Sequence, residues 1–117
     1  RLSAYCGAVS AACGAGAGIA RMFGAGYEEI SRLITNTIAT IGGMVCDGAK
    51  PSCAAKIASA VDCAITAMEL ARQGLSFQPG EGLVMENVEK TIESVGRMGR
   101  EGMRSTDVEI LNIMLGK

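Results

Sequence analysis

Apolar positions along this chain recur three or four residues apart, the spacing of helix faces, and nowhere alternate long enough to specify a strand. From Glu28, residues Ile30, Leu33, Ile34, Ile38 and Ile41 fall on one face, until Gly42-Gly43 loosens the helix. After Pro51 a helix over about 52–72 carries Ile57, Val61, Ile65 and Met68 on one side. Residues 73–82 hold Gly74, Pro79, Gly80 and Gly82 and read as a loop. A fourth helix over roughly 84–101 turns Val88, Ile92 and Val95 inward. Its outer face pairs Glu86 with Lys90, Glu93 with Arg97 and Arg97 with Glu101 at i, i+4. Thr106-x-x-Glu109 forms a capping box for a last helix bearing Val108, Leu111, Met114 and Leu115.

The first segment, 3–23, is rich in Ala and carries Gly7, Gly14, Gly16 and Gly18 before Gly24 and Gly26 end it. Glycine costs roughly 1 kcal/mol against alanine inside a helix, so these residues mean either breaks or very close backbone packing. The pattern predicts an all-α fold: a compact bundle of about five helices with Ala/Gly-rich central helices, no substantial sheet, and one domain over 1–117. Helices this short of large side chains and charge are normally surrounded by others. The chain also begins at Arg1, which reads as a piece of a longer protein. A missing N-terminal part, or a second subunit in a homo-oligomer, is the expected partner.

Charge and composition remove several function classes. Net charge is −1 with both signs interleaved, which offers no electrostatic footprint for nucleic acid or an anionic membrane. Aromatic residues make up 3%, too few for base-stacking platforms. The apolar N-terminal stretch has little bulk, is interrupted by Arg21, and lacks the form of a membrane span or secretory signal. Five cysteines without such a signal point to the reducing cytoplasm, where thiols bind metal or do chemistry more often than they cross-link.

Gly14-Ala15-Gly16-Ala17-Gly18 does not have the G-x-G-x-x-G spacing, follows no strand and precedes no suitably placed acid, so close helix packing explains it better than a nucleotide. The cysteines carry more. Cys63 lies mid-helix among Val61, Ala64 and Ile65, the setting of a small core residue. Cys6 and Cys13 are seven residues apart, about 10 Å along a helix, too far to share a metal unless the helix breaks. Cys46 and Cys53 have the same spacing, but Gly48 and Pro51 between them forbid a continuous helix, so the loop can fold both sulfurs inward. Cys53 then stands in the first turn of a helix, where the dipole favours an anion. Thiolates from a loop and a distant segment hold zinc or iron–sulfur clusters; five core-filling cysteines are the plainer alternative.

Three segments decide between these: Ser3-Ala4-Tyr5-Cys6-Gly7-Ala8, Ile34-Thr35-Asn36-Thr37-Ile38-Ala39, and Gly42-Gly43-Met44-Val45-Cys46-Asp47-Gly48-Ala49-Lys50-Pro51-Ser52-Cys53. Together with Gly99-Arg100-Glu101-Gly102-Met103, they make essentially the whole chain resemble the C-terminal part of the L-cysteine desulfidases. Those proteins are related to the α chain of iron–sulfur L-serine dehydratase. The resemblance implies a [4Fe–4S] cluster, no pyridoxal phosphate, and cluster ligands at Cys6, Cys46 and Cys53, with Cys13 and Cys63 outside the set. It implies a lyase that converts L-cysteine to pyruvate, ammonia and sulfide, the open iron acting as Lewis acid on the leaving sulfur. L-serine dehydration is the nearest rival, and a non-catalytic helical zinc or interaction module, with Cys13 as fourth ligand, is a rival of another class. The family's catalytic base lies in the N-terminal part, so these residues alone are expected to be inactive. Asp47 and Lys50 flank the ligands and are candidates to orient sulfur or tune a cluster. Asn36 and Thr37 interrupt an apolar helix and, if buried, need hydrogen-bond partners, either a substrate or another helix. Lys56 and the charged rows of the fourth helix are expected to face solvent.

Overall fold

Alanine and glycine set how the first three helices meet. In the computed structural model, which describes residues 4–117, α1 (Gly7–Met22), α2 (Tyr27–Ile41) and α3 (Cys53–Arg72) pack on one another. A Cβ built at Gly16 would stand 3.0 Å from the Ala64 Cβ and 3.1 Å from a Leu33 methyl, so this glycine is where three helices touch. α1 runs unbroken through the glycine series, and the close-packing reading holds at Gly16; Gly14 and Gly18 have nothing within 4 Å of a Cβ position.

The same closeness decides which side of α3 turns inward. Ala60, Ala64, Ala67 and Ala71 are its buried stripe, while Ile57 and Ile65 stay 55% and 46% exposed. The row of large apolar residues is thus split: Ile57 and Ile65 turn outward, Val61 and Met68 stay half-buried with Met68 packed against the core, and the side nearest α1 and α2 is alanine. α2 follows its pattern, with Leu33 fully buried and Ile38 nearly so. Leu33, Ala20, Ala25, Ala67 and Ala71 form the main core cluster.

α4 (Val88–Arg97) lies on α2 and begins later than its pattern suggests, because the Asn87 side chain caps it by accepting from the Lys90 N–H at 2.9 Å. Thr91, buried, accepts from Met85 N and donates to the Asn87 carbonyl, fixing the chain that enters this helix. Ile92, expected inside, is 42% exposed. The Glu86–Lys90 pair forms at 2.5 Å, whereas Glu101 turns to Arg100 and Arg104. α4 continues through a π-helical turn, Met98–Gly102, into α5 (Arg104–Met114). That continuity puts Thr106 inside a helix already started, with the Asp107 N–H bonded to the Met103 carbonyl, so the capping box has no terminus to cap.

Extended pairing is confined, among the described residues, to one antiparallel bridge between Tyr5 and Val45. No helix of the described residues is long and apolar enough to cross a membrane. The backbone spans 49 × 30 × 17 Å, a slab about two helices thick.

Candidate functional site

At the end of α2 the chain must turn sharply, and glycine permits it: a Cβ at Gly42 would lie 2.6 Å from the Ile38 carbonyl oxygen. The turn delivers Met44, Val45 and Cys46 alongside Ala4, Tyr5 and Cys6. Cys6 N donates to the Met44 carbonyl at 3.0 Å, and Cys46 N to the Ala4 carbonyl at 2.6 Å. With Tyr5 opposite Val45, strand alternation places Cys6 and Cys46 on one face of the bridge, as diagonal neighbours roughly 7–8 Å apart. Two cysteines 40 positions apart in the sequence thus meet through backbone pairing.

Beyond Cys46 the loop reverses at Gly48, whose φ of +98° suits glycine, and passes Pro51 into α3 at Cys53. The Cys53 thiol donates to the Gly48 carbonyl at 3.4 Å. Asp47 Oδ1 accepts from both Lys50 Nζ and Lys56 Nζ at 2.5 Å each, and Lys56 also donates to the Val45 carbonyl at 2.8 Å. The Lys50 hydrogen bond first, then that of Lys56, holds the Asp47 carboxyl well below the usual carboxylate range. Asp47 in turn raises the Lys56 pKa, and the charges of Cys6 and Cys53 act on it in the same direction. One ammonium therefore feels both thiol positions, and its contacts straddle the third. Lys56 does not simply face solvent, contrary to its expected place.

Cys6, Cys46 and Cys53 are all half-buried. Cys6 and Cys46 open on a cavity of about 920 Å³ between α1 and the α4–π segment. Its walls are mainly apolar, from Val9, Ile34, Ile38, Ile92 and Val95, with Gly96 and Gly99 leaving room on the α4 side. Arg100, carried by the π-helical turn, is the one cation among the described residues that line it. Cys13 also reaches this wall but is buried; desolvation first, and Cys63 second, push its thiol up to about 11. Cys63 is half-buried, and burial raises it too.

Among the described residues, no three His, Cys, Asp or Glu side chains are arranged around a single metal ion. The donor set at the bridge and loop is instead three thiols beside a lysine, with the Cys53 sulfur turned toward its own loop. In kind, such a set suits an iron–sulfur cluster, whose ligands are thiolates spread around a group larger than one ion.

Asn36 and Thr37, both buried, find their partners inside the chain. Asn36 donates to the Leu75 carbonyl at 3.2 Å and accepts from Phe77 N at 3.0 Å, fastening the loop after α3. Thr37 donates to the Leu33 carbonyl at 2.7 Å. Lys56 and Arg100 are the residues that sequence reasoning passed over. Lys56 sits one turn beyond Cys53 on a helix the sequence does predict, and that spacing was the available signal. Arg100 lies between two glycines of the Gly99-Arg100-Glu101-Gly102 run, whose π-helical turn no apolar periodicity announces.

The family described as serine dehydratase alpha chain matches residues 1–112. The chain is 51% identical over 117 residues to a UPF0597 protein of Desulfitobacterium hafniense (strain Y51), covering all of this chain and 27% of that protein. It is 56% identical over 115 residues to a UPF0597 protein of Lachnoclostridium phytofermentans, covering 98% of this chain and 28% of that protein. A UPF0597 protein of Aeromonas hydrophila is 40% identical over 117 residues, with 27% of its length covered. The chain thus spans little more than a quarter of these relatives. No solved structure matches it.

Proposed function

Because the chain belongs to the serine dehydratase alpha chain family, a family of iron–sulfur lyases, we propose that it is the cluster-binding part of a pyridoxal-phosphate-independent lyase acting on L-cysteine. The observation that carries this reading is the Tyr5–Val45 bridge, which sets Cys6 beside Cys46 on a cavity whose wall holds Arg100. Cys6, Cys46 and Cys53 would hold a [4Fe–4S] cluster. Held by three thiolates, such a cluster supplies a Lewis-acidic iron that favours departure of an anionic leaving group.

The chain's own residues do the rest of the work assigned to this part. Glu101 holds Arg100 Nε at 3.1 Å, and the terminal guanidinium nitrogens are the donors for the substrate carboxylate. The apolar walls of Val9, Ile34, Ile38 and Ile92 exclude water from the Cα–Cβ region of a small amino acid. Elimination removes the Cα proton and the β-sulfur, the C–H electron pair forming the new double bond and the C–S pair leaving with sulfide. The aminoacrylate product becomes an imine, which water hydrolyses to pyruvate and ammonia. The chain contains no histidine, and we assign the base that takes the Cα proton to the rest of the protein, in the cytoplasm.

L-serine is the second substrate to consider, since the family description itself names serine. The test is anaerobic reconstitution of the full-length protein, followed by iron and acid-labile sulfide analysis and assays with both amino acids. Iron with matching sulfide, lost in Cys46→Ser, and faster turnover of L-cysteine are expected. Arg100→Ala should raise KM about tenfold or more, the cost of a lost charge-assisted hydrogen bond. Zinc without labile sulfide would sink the lyase reading; a preference for L-serine would overturn the choice of substrate.

A further inference from the structure

Lys56 makes the side-chain contacts that join the Cys46 segment to the turn of α3 carrying Cys53. Its side chain is 24% exposed, and its ammonium donates to the carbonyl of Val45 and the carboxylate of Asp47. Those are the residues immediately before and after Cys46. Lys56 itself stands on the first turn of α3, three residues beyond Cys53. Val45 is in turn paired with Tyr5, the neighbour of Cys6. Lys50 shares Asp47 Oδ1, yet its other contact, the Gly48 carbonyl at 3.4 Å, lies in the same loop, so it cannot tie that loop to the helix.

We propose that Lys56 is the positioning residue of the thiol site: it clamps the Cys46 strand to the turn of α3 that carries Cys53, and so sets the separation of those two sulfurs. The cluster consequence rests on the reading that these thiols ligate iron; the clamp does not. A lysine is suited to the task because three donors on one ammonium can serve a carbonyl and a carboxylate together. The charge has a second effect. A fixed cation beside thiolate ligands favours the more negative, reduced form of any cluster they hold.

The test compares Lys56→Met, Lys56→Arg and Lys50→Met in the full-length protein, with helicity checked by circular dichroism. Amide hydrogen exchange at Cys46, whose N–H is bonded to the Ala4 carbonyl, reads the clamp in metal-free protein. Lys56→Met should speed that exchange about tenfold or more, the usual worth of a charged hydrogen bond, while Lys50→Met leaves it near wild type and Lys56→Arg restores much of it. In reconstituted protein, Lys56→Met should retain less iron and lower the midpoint potential, with Arg again restoring it. Should Lys56→Met refuse to fold, Lys56→Gln, which keeps a donor without the charge, takes its place in the same comparison. Unchanged exchange in the Met or Gln variant overturns the clamp, even where Cys46→Ser still loses iron. Faster exchange in a protein that takes up no iron supports the clamp and counts against the cluster reading alone.

Discussion

Whether a thiol can bind metal is decided by its surroundings, and the five cysteines divide on that basis. Cys6, Cys46 and Cys53 sit half-buried at a bridge, a loop and the first residue of α3, while Cys63, also half-buried, lies mid-helix. Cys13 is buried on α1, and burial keeps its thiol protonated to about pH 11. The linkage has a definite sign. An unfolded cysteine ionises near its model value of 9.0, so between there and about 11 the unfolded state holds fewer protons than the folded one. The contribution of Cys13 to stability therefore falls with rising pH across that window and is constant above it. Alkylation followed by mass spectrometry should find Cys13 slow at pH 8, faster toward pH 11, and equal to the other cysteines once the chain is denatured.

At the scale of elements, the contact of α1 with α3 is the sensitive one. Gly16→Val should destabilise the chain by about 1–3 kcal/mol, since the new methyls meet Ala64 and Leu33 with no space to yield. Gly18→Ala has open space and should stabilise by up to about 1 kcal/mol; urea denaturation checks both. These glycines also show what the sequence can and cannot convey. α2 is readable because Leu33 and Ile38 are large residues at helical spacing and are the ones buried. α3 misleads for the opposite reason: its buried stripe is alanine, and only knowledge of how near α1 comes explains why Ile57 and Ile65 point away. The Cys46–Cys53 loop is legible because Gly48 and Pro51 exclude a helix. Its pairing with Ala4-Tyr5-Cys6 is not, because a bridge of two hydrogen bonds has no periodicity. Thr106 offered correct capping chemistry that a π-helical turn made unnecessary.

For the molecule as a whole, a thickness of 17 Å leaves little interior, and the largest fully buried side chains are Leu33, Asn36, Thr37 and Thr91. Large apolar residues accordingly lie outside, including Phe23, Ile57, Ile65 and Ile113. Relatives are nearly four times longer on the coverage of 27%, so there is ample chain to cover such a face. We expect the double substitution Ile57→Gln with Ile65→Gln to change the stability of the 117-residue chain by no more than about 0.5 kcal/mol. In the full-length protein the same pair should cost about 3 kcal/mol or more, the worth of two buried isoleucines. Thermal or urea melts of both proteins make the comparison, and equal effects in the two would mean that this face stays in water.

The Tyr5–Val45 bridge also makes the first two helices a ruler. α1 has 16 residues and α2 has 15, which at 1.5 Å per residue give lengths of about 24 and 22 Å. Joined by a short corner and laid side by side, they bring the start of one and the end of the other to the same level, where Cys6 meets Cys46. The separation of those sulfurs is thus a difference between two helix lengths. An extra turn in either helix alone would carry one cysteine about 5 Å past the other, although every residue named at the site were kept. What this part of the chain must preserve, beyond the identity of its cysteines, is a count.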